Sequence, residues 1–97
     1  MPINVFEQFE ELYSRWSILD KVGKEMQLER MWQQLTAAYR YLLQVYQSRG
    51  YLTLIESNYA NQIAQMMREL QNQKMKVDQD LAHEILRHLV KMQAKQM

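Results

Sequence analysis

Glycine and proline, the residues that most readily interrupt regular structure, are almost absent from this chain of 97 residues, which contains only Gly23, Gly50 and Pro2. Between these positions, apolar residues recur every three or four residues, the spacing that places them on one face of an α-helix. The pattern predicts an all-α fold. We expect an antiparallel bundle of three to four long amphipathic helices that forms a single domain over residues 1–97.

The first two predicted helices each carry a row of apolar residues. The first helix begins near Asn4, whose side chain can cap it, and ends at Gly23. The second covers about residues 25–49, before the next glycine. Trp16 and Trp32 lie on these rows and are predicted to be buried between the two helices. The rows consist of Val5, Phe9, Leu12, Trp16 and Leu19 in the first helix, and of Leu28, Trp32, Leu35, Tyr39, Leu42 and Tyr46 in the second.

The C-terminal half allows two interpretations. A third helix opens at Thr53, with Glu56 completing a capping box. Asp78 or Asp80 can cap a fourth helix, or a single helix can continue through the polar segment 71–76, because residues 54–95 contain neither glycine nor proline. The apolar rows are Ile55, Tyr59, Ile63, Met66 and Leu70, followed by Leu81, Ile85, Leu89 and Met92.

Composition limits the environment in which the chain is expected to work. The hydrophobic fraction is 47%, but the mean hydropathy is −0.52 and no apolar run approaches the roughly 18 residues that a membrane span requires. The N-terminal residues show no secretory signal. Because the chain has no cysteine, it forms no disulfide. We therefore expect a cytoplasmic protein without a membrane association.

Residues with catalytic or metal-binding chemistry form no convincing constellation in the sequence. His83 and His88 are five residues apart, whereas a helical zinc motif needs four so that both rings share one face. The paired carboxylates, such as Asp78 and Asp80, are typical of helix starts. We expect no cofactor, no metal and no enzymatic activity, although a site that forms only on assembly of subunits is kept as a third hypothesis.

The leading functional hypothesis is binding to another protein, as an adaptor, inhibitor or chaperone subunit. Tyrosine and arginine are enriched at the positions that dominate binding energy in interfaces. Arg40, Tyr41, Arg49 and Tyr51 lie off the predicted packing rows and are the predicted partner-binding residues. The apolar rows exceed what one small bundle easily covers, so a homodimer is expected, with the contact on the third segment and its continuation.

The alternative hypothesis is a small nucleic-acid-binding regulator. Basic residues accumulate toward the C-terminus, whereas the net charge of the whole chain is only +1. A basic helix face is typical of contacts to phosphates, but no helix-turn-helix pattern accompanies it. The residues of this alternative basic surface are Lys74, Lys76, Arg87, Lys91 and Lys95.

Overall fold

The structure, a computed structural model, describes residues 4–93 and contains five helices in this part of the chain, without any strand. The all-α prediction is confirmed. Among the described helices, none is both long enough and apolar enough to cross a membrane. The helices are α1 (Val5–Ser17), α2 (Lys21–Met26), α3 (Leu28–Arg49), α4 (Leu54–Asn72) and α5 (Gln79–Gln93).

The chain divides into two compact units, residues 1–38 and 39–97, and the division lies within α3. The single domain expected from the sequence over residues 1–97 stays a prediction. The first consists of α1, α2 and the first half of α3, and the second consists of the rest of α3 with α4 and α5.

The first unit contains a helix end that the sequence analysis placed wrongly. Asn4 caps α1 as predicted, its side chain accepting a hydrogen bond from the Phe6 backbone N–H at 2.9 Å. The helix, however, ends at Ser17, six residues before the predicted end at Gly23. Asp20 then caps the short helix α2 by accepting the backbone N–H of Gly23 at 2.8 Å. The carboxylate of Asp20 therefore starts a new turn of helix, with the glycine inside it.

Trp16 attaches α2 to α1. Its side chain is 1% exposed, its indole Nε1 donates to the Lys24 carbonyl at 3.2 Å, and the Lys24 Nζ lies 4.8 Å from the centre of the ring. The predicted burial of Trp16 is confirmed, but that of Trp32 is wrong, because Trp32 is only half-buried. The buried face of this half of α3 is rotated instead toward Met31, Leu35 and Ala38.

Replacing Trp16 with Phe should release α2. The substitution keeps an aromatic ring in the core but removes the donor to the Lys24 carbonyl, a loss that typically costs about 1 kcal/mol. We expect faster amide hydrogen exchange in residues 21–27, measured by mass spectrometry, while the exchange of α4 is unchanged. Equal exchange of α2 in both proteins would contradict the role assigned to the indole N–H.

The second unit is built on the corner between α3 and α4. Gly50 ends α3 as predicted. Its φ is +90°, a backbone conformation that residues other than glycine rarely adopt. Leu52 is completely buried in the connection, and Thr53 and Glu56 form the predicted capping box. Ile55 was predicted to face the core, but it is 69% exposed. The core of α4 consists of Ser57, Ala60, Ile63, Ala64, Met66, Met67 and Leu70.

Two separate helices form the C-terminal half, so the single continuous helix is excluded. The chain turns at Lys74, which has φ at +56°, in the left-handed region. The backbone N–H of Met75 donates to the carbonyl of Leu70 at 3.0 Å, and the N–H of Lys74 donates to the carbonyl of Gln71 at 3.0 Å. These two bonds define a Schellman motif, and the buried Met75 and Leu70 supply its usual apolar contact.

After this turn, Asp78 caps α5 by accepting the backbone N–H of Leu81 at 3.1 Å, which decides between the two predicted caps. The helix then packs against α4. Its core residues are Ala82, Ile85, Leu89 and Met92.

Glycine at position 74 should make the protein more stable. A lysine in the left-handed region carries a steric cost that glycine lacks, and we expect Lys74→Gly to raise the free energy of unfolding by about 0.5–1 kcal/mol. Lys76→Gly is the control in the same connection, because Lys76 does not have a positive φ. Urea unfolding measures both, and an equal or smaller stability for Lys74→Gly than for Lys76→Gly would contradict the assignment.

Candidate functional site

The four predicted partner-binding residues lie in two groups along α3. Arg40 and Tyr41 are exposed in the middle of the helix, Tyr41 by 46%. Arg49 and Tyr51 lie at its end, so that positions 41 and 49 are separated by about 12 Å of helix rise. The arrangement brings together the members of each pair, but it does not form one compact patch of four residues.

The pair at the end of α3 is engaged within its own chain. The Arg49 guanidinium lies 4.8 Å from the centre of the Tyr51 ring, and its Nε donates to the Tyr51 carbonyl at 3.3 Å. It also pairs with the Glu56 carboxylate, which itself accepts the Thr53 backbone N–H at 2.8 Å. These contacts stabilise the corner between α3 and α4. A partner that bound Arg49 would have to compete with them.

The predicted basic surface is also divided. Lys74 and Lys76 are exposed in the connection before α5, and Arg87 and Lys91 are exposed one turn apart on α5. Lys95 lies outside the described residues. The acidic residues Asp78, Asp80 and Glu84 come between the two pairs along the chain. Binding of nucleic acid gains affinity from each protein cation that contacts the phosphate backbone, whereas carboxylates among these cations repel the phosphates.

A partly buried polar contact links α3 to α5. The Tyr39 hydroxyl and the His88 Nδ1 are 2.6 Å apart, and the two rings are nearly parallel with centroids 6.3 Å apart. Burial raises the pKa of Tyr39 above its ordinary value of 10.0, and the negative charge of Glu84 raises it further. In the sequence, His88 drew attention only through its spacing from His83, whereas the structure gives it a partner within the chain.

This contact should make stability fall at alkaline pH. Because the pKa of Tyr39 is higher in the folded state, the folded protein holds this proton more tightly than the unfolded chain. Stability from this group is therefore complete below pH 10 and is lost as the pH rises from about 10 toward the folded-state pKa.

Urea unfolding between pH 8 and 11.5 tests this dependence, with Tyr39→Phe as the comparison. The variant should lose stability less steeply above pH 10 than the original protein. Parallel pH profiles for the two proteins would contradict the buried, neutral hydroxyl.

His83 is exposed on α5 and does not share a metal-binding cluster with His88. Within residues 4–93, no group of three or more histidine, cysteine, aspartate or glutamate side chains is arranged to hold a metal ion.

A set of exposed aliphatic residues in the first unit was missed by the sequence analysis. Ile18 is 85% exposed, Val22 is 64% exposed and Met26 is 78% exposed. Val22 and Met26 lie one turn apart on α2, and Ile18 is the C-cap residue that follows α1. We call these three residues the α2 apolar face. The sequence signal for this surface was Asp20, because aspartate commonly caps the start of a helix and here precedes α2.

A groove runs between α1 and the start of α3 in the first unit. It has two adjoining parts, of about 220 Å³ and about 270 Å³, which share Leu12, Arg15 and Arg30. We call it the α1–α3 groove. Besides the shared residues, Gln8, Glu11 and Gln34 line one part, and Trp16, Leu19 and Gln27 line the other.

The polar groups of the groove are incompletely paired. Arg15 forms an ion pair with Glu11, one turn away on α1, and both side chains are 65% exposed. Arg30 forms no ion pair or hydrogen bond with any of the described residues. The Oε1 atom of Gln34 is buried and has no hydrogen-bond partner within the described part of the chain. The groove thus presents an unpaired cation and an unpaired acceptor one helical turn apart.

Comparison with protein-family models, with curated proteins and with solved structures finds no match to this chain.

Proposed function

We propose that this chain is a non-enzymatic helical protein that acts by binding other proteins, as an adaptor, inhibitor or chaperone subunit, and that it forms a homodimer through the α2 apolar face. The observation that carries the proposal is the exposure of Ile18, Val22 and Met26 in one short stretch of the chain. Grouped apolar side chains at the surface of a small protein are typical of sites that bind protein.

The construction of α2 supports this role. The helix has only six residues and none of them is buried. A helix of this length is not stable in water without tertiary contacts. The Trp16 indole and the Asp20 cap hold it to α1. Its exposed aliphatic side chains contribute to stability only when a further surface covers them, by roughly 25 cal/mol per Å² of apolar area buried.

A second copy fits this face by charge. Asp20 and Glu25 are balanced by Lys21 and Lys24, so α2 with its cap carries no net charge. A neutral face does not repel its own copy, and two-fold pairing of one surface with itself is the commonest form of oligomer. The dimer contact predicted from the sequence, on the third segment and its continuation, stays a prediction: the row from Ile63 to Leu70 is buried, but Leu54, Ile55 and Val90 are exposed.

Substitution of the α2 apolar face should weaken self-association. We expect the original protein to approach twice its monomer mass of 11.8 kDa as concentration rises. Val22→Lys with Met26→Lys should raise the dimer dissociation constant by about tenfold or more, because the lysines desolvate poorly in an apolar contact. Sedimentation equilibrium measures the constant directly.

Val90→Lys is the matched control, since Val90 is 55% exposed on α5. It should leave the dissociation constant unchanged. A monomer mass at every concentration up to the millimolar range, or equal weakening by the control, would contradict the proposed dimer. Circular dichroism of each variant establishes that the helices remain folded.

The proposal includes the cytoplasm as the location, supported by the absence of cysteine from the sequence. The nucleic-acid alternative receives less support, because acidic residues separate the two pairs of exposed basic residues.

A further inference from the structure

Charge in the first unit is distributed unevenly between the groove and the remaining surface. Residues 1–38 contain six acidic and four basic side chains, which gives a net charge of −2. The α1–α3 groove is lined by Arg15, Arg30 and one acid, Glu11, and so is locally positive. A cationic groove in an acidic surround favours a ligand that carries a negative group at one defined position.

The lining of the groove also calls for an apolar component in the same ligand. Leu12, Trp16 and Leu19 line one part of the groove together with Arg15, Gln27 and Arg30. From position 8 to position 17, where the helix ends, the α1 side extends for about 14 Å at 1.5 Å per residue, the length of roughly four residues of extended peptide. The two adjoining parts, of about 220 Å³ and about 270 Å³, have room for a few side chains of such a segment.

The unpaired groups specify the polar contacts. Arg30 can donate to a carboxylate, and arginine forms a two-pronged hydrogen-bonded pair with this group. The buried Oε1 atom of Gln34 needs a donor, and a backbone N–H of a bound peptide supplies one. Arg30 and Gln34 are four residues apart on α3, so their side chains project from the same face.

We propose that the α1–α3 groove binds a short acidic peptide segment of a partner protein. A glutamate or aspartate of the segment pairs with Arg30 and Arg15, its backbone donates to Gln34, and a neighbouring apolar side chain packs on Leu12 and Leu19. This proposal deepens the proposed protein-binding function, but it uses a surface different from the α2 apolar face.

Glu11 acts as an internal competitor in this arrangement. Its carboxylate already pairs with Arg15, in the position that a ligand carboxylate would take. The pair is well exposed, and exposed pairs contribute little to stability, so an entering carboxylate can displace it. Removing the Glu11 charge should therefore strengthen binding, whereas removing the Arg30 charge should weaken it.

Nucleic acid suits the groove less well than a peptide. Binding to a phosphate backbone depends on several cations acting together, and affinity falls steeply as salt rises. The groove has two arginines, one carboxylate and the apolar side chains of Leu12 and Leu19. This combination fits one carboxylate with an apolar neighbour.

The test begins with an immobilised array of heptapeptides. Each peptide has Glu or Asp at one position, Leu or Phe at another and Ala elsewhere, and a matched set has Gln or Asn in the acidic position. The full-length protein should bind members of the acidic set and not their amide counterparts. The strongest peptide is then titrated into ¹⁵N-labelled protein, where the Arg30 Nε–H and the Gln34 side-chain amide signals should shift.

Four single variants measure the contributions of the groove. Arg30→Gln should weaken binding of the selected peptide by about tenfold, which corresponds to roughly 1.4 kcal/mol. Gln34→Leu should also weaken it, because the acceptor is lost. Glu11→Gln should strengthen it, and Arg68→Gln, at an exposed arginine on α4, should leave it unchanged.

Equal binding of the acidic and amide arrays would overturn the proposal, as would a loss of affinity on Arg68→Gln with none on Arg30→Gln. An Arg30-dependent affinity for a fluorescein-labelled single-stranded oligonucleotide that exceeds the affinity for the peptide would also overturn it. Sedimentation equilibrium on the same variants separates this result from self-association, because Arg30→Gln should leave the dimer constant unchanged.

Discussion

The reversal of the chain at Lys74 is the constraint on which the second unit depends. The left-handed turn and its two backbone bonds end α4, and only then can α5 return along it. The return buries Ile85, Leu89 and Met92 in the same core as the α4 row. It also brings His88 to Tyr39. A continuous helix through this region would lose both the core and the polar contact.

The first unit depends on weaker interactions. α2 has no buried residue and is held by the Trp16 indole and by the cap at Asp20. Elements with few buried contacts open at low free energy, and binding surfaces are commonly drawn from them. The unit therefore combines a rigid aromatic anchor with an exposed aliphatic face, which is a suitable combination for a surface that is completed by another chain.

The periodicity of the sequence was enough to predict the helical fold, the caps at Asn4 and Thr53 and the end of α3 at Gly50. It could not locate the turn at position 74, because lysine has no preference for a left-handed conformation; the two backbone hydrogen bonds and the burial of Met75 accompany it in the folded chain. An apolar row in the sequence also leaves the rotation of its helix about the helix axis uncertain by about one residue.

This uncertainty explains one error in the predicted core, because Trp32 fits the helical period but packing buries its neighbour Met31 instead. Ile55 lies in the first turn of α4 and is 69% exposed, whereas its row is buried from Ile63 onward.

The candidate sites were harder to predict than the core. Arg49 and Tyr51 have the composition of an interface, yet they close a corner of their own chain through Glu56. Residue type alone does not distinguish these two uses. Arg30 and Gln34 gave no signal in the sequence, because polar residues on an exposed helix face are ordinary. Only the position of α1 beside α3 turns them into the wall of a groove.

In the proposed dimer, a second chain covers the α2 apolar face in solution. Methyl NMR with a soluble paramagnetic gadolinium complex tests this without any substitution, by comparing the relaxation of the Val22 and Met26 methyl groups with that of Val90. We predict that, as protein concentration rises, the α2 methyl groups become protected from the complex while Val90 stays accessible. Equal accessibility of all three residues at every concentration would contradict it.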